Sequence, residues 1–496
     1  MTETATTAEF PPTTASELDA VIAAAEAAAG PLAALRPAER AVLLRGVADA
    51  LDAAAEELVP LAIEESHLPE GRLRGELTRT TFQLRLFADE LDLGAYLEAI
   101  IDRADPDWGM GPRPDLRRML VPVGPVLVFA ASNFPFAFSV AGGDTASALA
   151  AGAPVVLKAH PGHPRLSQRT GELVRDALAA AGAPDGAFAV VHGMDAGTDG
   201  LRDPRIKAGS FTGSIPGGRA LFDIANSRPE PIPFYAEMGS LNPVFVTPAA
   251  LAARGEEIAK GYVGSVTLGV GQFCTKPGLL FLPAGHGLDD VLAAAARDVA
   301  AAPMLNERIA GGYGENLARL TDVSGLTALA DAGGPKGLEA GATLVKTDVA
   351  TLRSHADAIL EECFGPTSVV VEYSSPEELY AAAELFSGNL TAGVHGEDGD
   401  TELVAPLLER LRDRAGRLLW NGWPTGVSVT HAMQHGGPYP ATTSLHTSVG
   451  TTAIRRFLRP VSYQDVPQPL LPDALRDRNV LDIPRRVDGT TTRDDL

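Results

Sequence analysis

The run Met119-Leu-Val-Pro-Val-Gly-Pro-Val-Leu-Val-Phe-Ala-Ala-Ser-Asn133-Phe-Pro-Phe-Ala-Phe-Ser-Val-Ala-Gly-Gly143 holds 25 residues without a charge. That length matches a membrane span, which needs about 20 apolar residues in a helix. Pro122, Pro125, Pro135, Asn133 and the pair Gly142-Gly143 argue against one. A buried strand over Val126–Ala130, then a turn and a helix start, fits the pattern better.

Outward from this run the same alternation repeats. Short apolar stretches predict strands over Pro154–Lys158, Phe188–Val191, Ala208–Thr212, Pro243–Val246, Gly278–Leu282, Thr367–Tyr373, Thr391–His395 and Arg417–Asn421. Helical spacing fills several gaps: Leu166–Ala181, Arg219–Asn226, Ala249–Gly261 and Leu288–Ala301. Strand–helix–strand order predicts an α/β protein with largely parallel sheets. Ser16–Glu90 reads as helices, with Pro60 and Pro69 as breaks or first turns. Leu93–Pro114 weakens into a loop, and the tail after Pro460 reads as a surface-wrapping arm.

The chain has 496 residues, enough for two to four domains at roughly 100–200 residues each. With 45% hydrophobic and 21% charged residues, a disordered tail, a collagen or a coiled coil is excluded. Lys+Arg is 41 and Asp+Glu is 63, so the net charge is 41 − 63 = −22. That balance repels phosphate backbones and anionic lipid, so neither nucleic acid nor membrane is an expected partner. A small anionic substrate stays open, because a local arginine overrides a distant field. Two cysteines, Cys274 and Cys363, cannot make a disulfide framework and suit a reducing, cytoplasmic setting. Met1 to Thr14 shows neither a basic segment nor an apolar one, so no signal peptide is read there.

Several familiar motifs fail. Gly213 to Gly218 has the outer spacing of a P-loop, but Arg219-Ala220 stands where Lys and Ser or Thr belong. His431-Ala-Met-Gln-His435 has the histidines of a zinc-protease helix without its glutamate. His160 and His163 have no Cys or carboxylate cluster to complete a metal site, and no metal is expected. There is no strand-led G-x-G-x-x-G and no G-x-S-x-G elbow.

Six segments remain. Gly269-Val-Gly-Gln-Phe-Cys274-Thr-Lys276 puts a cysteine after small residues that allow close approach of a ligand; a nucleophile and a buried structural cysteine are both open readings. Tyr235-Ala-Glu237-Met-Gly-Ser240 places a carboxylate at the edge of an apolar stretch, a general base for water or a surface acid. Ser132-Asn133-Phe-Pro135 offers an amide to an oxyanion, or a cap to a turn. Val156-Leu-Lys158-Ala-His-Pro161, Phe211-Thr212-Gly213-Ser214 and Glu361-Glu362-Cys-Phe364-Gly-Pro366 read singly as strand ends or turns.

In order and spacing, these six segments resemble the aldehyde dehydrogenase superfamily, from about residue 16 to about residue 460. The resemblance implies two open, largely parallel α/β domains and a small β oligomerisation arm. The cofactor-binding domain would take 1–105 and 124–236 with part of 453–478, the catalytic domain 237–452, and the arm 106–123 with 479–496. It implies Cys274 as nucleophile, Glu237 as activator of the hydrolytic water and Asn133 as oxyanion donor. Lys158 would meet the adenosine ribose. Phe211, Thr212, Gly213 and Ser214 would form the turn near the pyrophosphate. Glu362 and Phe364 would hold the nicotinamide ribose and ring. Aldehyde oxidation would then run through a thiohemiacetal and a thioester, in a site expected to stabilise the thiolate. Glu237 favours hydrolysis over acyl transfer to coenzyme A.

Three further segments narrow the branch. Ala131-Ser-Asn133-Phe-Pro135, Glu64–Thr80 and His431–Pro440 resemble 2,5-dioxopentanoate (α-ketoglutaric semialdehyde) dehydrogenases and NADP-dependent fatty-aldehyde dehydrogenases. In that branch the histidine of H-G-G-P, here His435, lies near the catalytic centre, as a proton carrier or a structural histidine. Many NAD-selective relatives carry Glu three residues after the lysine, where this chain has Pro161, so NADP is expected, with NAD as the alternative. The expected substrate is 2,5-dioxopentanoate; a fatty or broad-range aldehyde is the alternative, and a non-catalytic homologue the reading from another class. Phe134, Phe136 and Phe138 suit either substrate. Arg79 and Arg85 are candidates for a distal carboxylate, with surface salt bridging as the plainer reading of each. Asn479–Pro484 reads as a short apolar strand-like segment whose edge a partner covers, so the expected assembly is a homo-oligomer, at least a dimer.

Overall fold

The computed structural model describes residues 10–496. The Met1–Glu9 part of the amino-terminal reading lies outside them. The charge-free run becomes the middle of a five-stranded parallel sheet, with Val126–Phe129 between Val155–Lys158 and Ala208–Thr212. Phe188–Val191 and Phe234–Glu237 form its edges. Alternate residues of the central strand face opposite ways. Val126 and Val128 enter one apolar cluster with Val155 and Leu157, while Leu127 and Phe129 enter another with Val156. Each fully buried Val or Leu contributes about 1.5–3 kcal/mol, so neither face tolerates a charge.

A second sheet has seven strands, in the order Thr327–Ala330, Thr343–Asp348, Thr367–Tyr373, Leu279–Pro283, Val244–Val246, Asn389–His395 and Ala415–Trp420. Only the first pair is antiparallel. The fold is thus mixed α/β with open parallel sheets, as the alternation predicts. A third sheet joins Leu458–Gln464, Leu116–Pro122, Ile100–Asp102, Arg485–Val487 and Thr490–Thr492. It draws on residues beyond 106–123 and 479–496.

Some expectations need correction. Thr343–Asp348 is an interior strand that the apolar pattern does not mark, because Lys346 interrupts it; its ammonium reaches Asp289 at 2.5 Å. Asn479–Pro484 is not a strand but a turn, and Ile483 is buried beside Gly94. Pro60 sits inside the helix Ala55–Ser66, whereas Pro69 does precede the helix Glu70–Leu93. Among the described residues, no helix is long and apolar enough to cross a membrane.

Candidate active site

The carboxyl ends of the first sheet deliver Asn133, Lys158, Thr212 and Glu237, just past or at the ends of four parallel strands. In open α/β sheets that edge is where ligands bind. The second sheet brings Cys274 on the approach to Leu279–Pro283 and Glu362 on the approach to Thr367–Tyr373. His435 comes from the long loop after Ala415–Trp420.

The turn before the cysteine is unusual. Gly269, Val270 and Gly271 all have left-handed backbone, with φ of 58°, 57° and 67°. For a β-branched residue such as Val270 that conformation is strained, at about 1–3 kcal/mol. A Cβ on Gly269 would stand 2.5 Å from Arg72 Nη1, and one on Gly271 would collide with the Gly365 carbonyl. Gln272 holds the turn: its Nε2 donates to the Gly269 carbonyl at 3.1 Å, and its Oε1 accepts from the Leu305 N–H at 3.0 Å. Asn242 fixes the far side, donating Nδ2 to the carbonyls of Cys274 at 2.8 Å and Lys276 at 2.9 Å.

Cys274 Sγ lies 3.6 Å from His435 Nε2, which lies 2.9 Å from Glu237 Oε1. The Ser448 hydroxyl donates to Glu237 Oε2 at 2.5 Å, and the His435 N–H donates to Thr447 Oγ1 at 2.8 Å. Glu237 and His435 are buried and Cys274 is half-buried. Burial alone would raise the Glu237 carboxyl. The charge of His435 and hydrogen bonds from His435, Ser448 and Cys274 outweigh it and leave the group below its ordinary value. Cys274 goes the other way: burial, the charge of Glu237 and its hydrogen bond, and the charge of Glu362 push the thiol well up, with Arg79 opposing. That direction runs against the expected stabilised thiolate, because burial and the charges of Glu237 and Glu362 outweigh Arg79. The ligand atoms of Cys274, Glu237 and His435 lie within 4.8 Å of one another. Both Glu237 oxygens already face His435 or Ser448, an arrangement suited to moving a proton.

Asn133 Nδ2 donates to the Gln272 carbonyl at 3.1 Å. A side-chain amide has two N–H donors, so one remains for an oxyanion. Lys158 is buried, and among the described residues its ammonium meets Met194 Sδ alone, at 3.7 Å. Burial and the charge of Arg308 bring its pKa down to about 8. A buried ammonium facing a thioether fits incoming hydroxyl or phosphate oxygens. Ser214 caps the helix Ile215–Asn226, accepting from the Gly217 N–H at 3.3 Å, beside exposed Gly213. Such a helix start attracts phosphate. Half-buried Phe211 meets Phe129 edge-on, and Thr212 ends the same strand. Glu362 is pushed up to about 7 by burial, against the charge of Lys276 and the Ser240 N–H. Phe364 is half-buried two residues on, and Pro161 is exposed. These residues fit a nicotinamide dinucleotide.

Sequence reasoning missed Ser448, Asn242 and Lys276, whose ammonium donates to the carbonyls of Cys363 and Thr367, each at 2.7 Å. Three other histidines singled out in the sequence are tied down locally. His163 bridges the Ala131 carbonyl and Ser167 Oγ, His160 Nδ1 accepts from the Gly162 N–H, and His431 faces Thr451. Arg85 does pair at the surface, with Asp49 at 2.6 Å and Asp52 at 2.8 Å. Arg79 does not; it lies over the Phe138 ring, 5.3 Å from its centroid.

The sequence profile described as the aldehyde dehydrogenase family matches residues 2–459. The chain is 47% identical over 459 residues to alpha-ketoglutaric semialdehyde dehydrogenase 2 of Azospirillum brasilense, covering 91% of this chain and 87% of that one. It is 44% identical over 460 residues to alpha-ketoglutaric semialdehyde dehydrogenase of Acinetobacter baylyi, covering 92% and 88%. In fold it resembles aldehyde dehydrogenase 21 from Physcomitrella patens in complex with the reaction product succinate. The TM-score is 0.76 at 23% identity, over 92% of each chain. It also resembles a mutant aldehyde dehydrogenase C from Pseudomonas syringae complexed with NAD+ and octanal. There the TM-score is 0.77 at 21% identity, over 91% of this chain and 89% of that one.

Proposed function

Because the chain belongs to the aldehyde dehydrogenase family, NAD(P)-using oxidoreductases of small aldehydes, we propose that it oxidises 2,5-dioxopentanoate to 2-oxoglutarate, with NADP preferred, in the cytoplasm. The observation that carries the chemistry is the convergence of Cys274 Sγ, His435 Nε2 and Glu237 Oε1 at 3.6 and 2.9 Å. The substrate rests on the 47% and 44% identity to alpha-ketoglutaric semialdehyde dehydrogenases. The apolar wall of Phe134, Phe138 and Phe273, with neighbouring centroids 5.4 and 5.2 Å apart, favours an alkanal as the second reading.

The thiol waits protonated, so attack on the aldehyde carbon must be coupled to loss of its proton. The Glu237–His435 pair is placed to receive it, the Glu237 carboxylate accepting hydrogen bonds from the thiol and from His435 Nε2–H. The free Asn133 N–H and the Cys274 backbone N–H stabilise the thiohemiacetal oxyanion. Lys158, the Phe211–Ser214 turn, Glu362 and Phe364 would hold a nicotinamide dinucleotide, which when bound would supply the hydride acceptor. Once the thioester has formed, the low-lying Glu237 carboxylate takes a proton from water, and that water attacks the acyl carbon.

NADP preference follows from charge. Lys158 has no carboxylate within ion-pair distance among the described residues, Arg308 adds to the positive field, and Pro161 leaves that side neutral. Pro161→Glu places a negative charge about 4 Å from a 2′-phosphate, worth roughly 1–4 kcal/mol against NADP according to exposure. The check is kcat/KM for both cofactors, in wild type and variant, with 2,5-dioxopentanoate, succinic semialdehyde and decanal. A wild type that prefers decanal overturns the substrate, and an unmoved cofactor ratio overturns the charge argument.

The assembly we infer is at least a dimer, with the arm of 106–123 and 479–487 reaching a second copy. Ala415–Trp420 ends the seven-stranded sheet with its outer edge unpaired, and Leu418 and Trp420 on it are 38% and 47% exposed. An edge of that kind invites strand addition. Light scattering should give at least twice the 51.7 kDa chain mass; a single-chain mass at micromolar concentration overturns the inference.

A further inference from the structure

We propose that Arg79 is the residue that selects the substrate, its guanidinium binding the carboxylate at the far end of the aldehyde. This rests on the semialdehyde reading above and assigns that reading its recognition group.

Five arginines lie around the mouth of the site or on its helix, and four are occupied, Arg74 by Glu56 at 2.7 Å and Glu70 at 2.8 Å. Arg72 donates to the Asn133 carbonyl at 2.5 Å and sits over the rings of Phe134 and Phe273. Arg417 donates to the carbonyls of Gly426 at 3.1 Å and Pro424 at 2.7 Å. Arg85 is spent on Asp49 and Asp52. Arg79 makes no hydrogen bond and no ion pair within 4.0 Å among the described residues. Arg79 and Arg85 share the helix Glu70–Leu93, but six residues turn them roughly 240° apart, so they face different surroundings.

The Phe138 ring stands between His435, beside the nucleophile, and the Arg79 guanidinium. His435, 3.6 Å from Cys274 Sγ, has its ring 6.0 Å from that of Phe138, and Arg79 Cζ lies 5.3 Å over the same Phe138 ring. A five-carbon chain bound at sulfur extends roughly 6 Å to its carboxylate carbon. A charge-assisted hydrogen bond then spans about 2.8 Å more. Glu76, three residues before Arg79, forms no ion pair with it within 4.0 Å among the described residues; its Oε1 accepts from the N–H groups of Phe136 at 2.8 Å and Ala137 at 3.0 Å. Arg79 is half-buried; burial opposes its charge, and the charges of Glu76, then Cys274 and Glu237, support it. An unpaired guanidinium over the Phe138 ring suits a carboxylate and gives an alkanal tail nothing.

The test compares wild type, Arg79→Met and Arg79→Lys on 2,5-dioxopentanoate, glutaric semialdehyde and pentanal. Loss of a charge-assisted hydrogen bond to a partly desolvated carboxylate is worth roughly ten- to a hundredfold. In Arg79→Met, kcat/KM for both carboxylate substrates, relative to pentanal, should fall by about thirtyfold, chiefly through KM. Arg79→Lys should recover part of that ratio, and 2-oxoglutarate should inhibit the Met variant more weakly. An unchanged ratio in a folded Met variant, or equal loss on all three aldehydes, overturns the assignment. A wild type that favours pentanal overturns instead the semialdehyde reading on which it rests.

Discussion

Cys274→Ser is expected to lose at least roughly two orders of magnitude in aldehyde oxidation. The thiol of Cys274 is already held well above its ordinary value by burial and by Glu237 and Glu362. Its reactivity therefore comes from sulfur's nucleophilicity and from proton transfer to the Glu237–His435 pair beside it. A serine hydroxyl at that place is a weaker nucleophile with a far higher pKa, and the same base cannot ionise it near neutral pH. Cofactor binding should persist, because Lys158, Ser214 and Glu362 lie on other segments. Steady-state formation of reduced cofactor measures the first claim and fluorescence titration of cofactor the second. Turnover near that of wild type would remove Cys274 from the mechanism.

Glu237→Gln should separate the two halves of the reaction. An amide keeps much of the shape that meets His435 at 2.9 Å and Ser448 at 2.5 Å, but it cannot accept a proton from water. General-base assistance contributes about 10²–10⁴-fold, and the loss should fall mainly on deacylation. Stopped-flow traces should show one burst of reduced cofactor per site, followed by a slow steady rate. A smaller burst with an unchanged steady rate would move the base elsewhere, and wild-type traces throughout would leave Glu237 without a chemical role.

The parts of the fold that can be read from the sequence are those where burial acts on whole segments. Val126–Phe129 and Thr367–Tyr373 are interior strands covered on both sides, so their apolar runs stand out. Thr343–Asp348 is equally interior, yet Lys346 breaks the run and makes sense only once Asp289 stands beside it. The same distinction divides the site. Cys274, Glu237 and Asn133 lie in short motifs with their own local signature. Ser448 and Asn242 do not; their partners Glu237 and Cys274 are distant in the chain, and only the folded arrangement joins them. The charge on the thiol is a property of assembled neighbours, which is why the expected thiolate gave way to a protonated group. Arg79 and Arg85 look alike in the sequence, and helix rotation alone separates the free guanidinium from the paired one.

Lys158 ends a strand of the first sheet, while Arg79 projects from the helix Glu70–Leu93 over the Phe138 ring. The two side chains share neither a partner nor a supporting segment. Substitutions at one approach therefore leave the other approach standing. A lineage carrying this scaffold can exchange its aldehyde without renegotiating its redox pool, or move between nicotinamide pools while keeping its aldehyde. The two traits are inherited separately, and selection on metabolism can act on each alone.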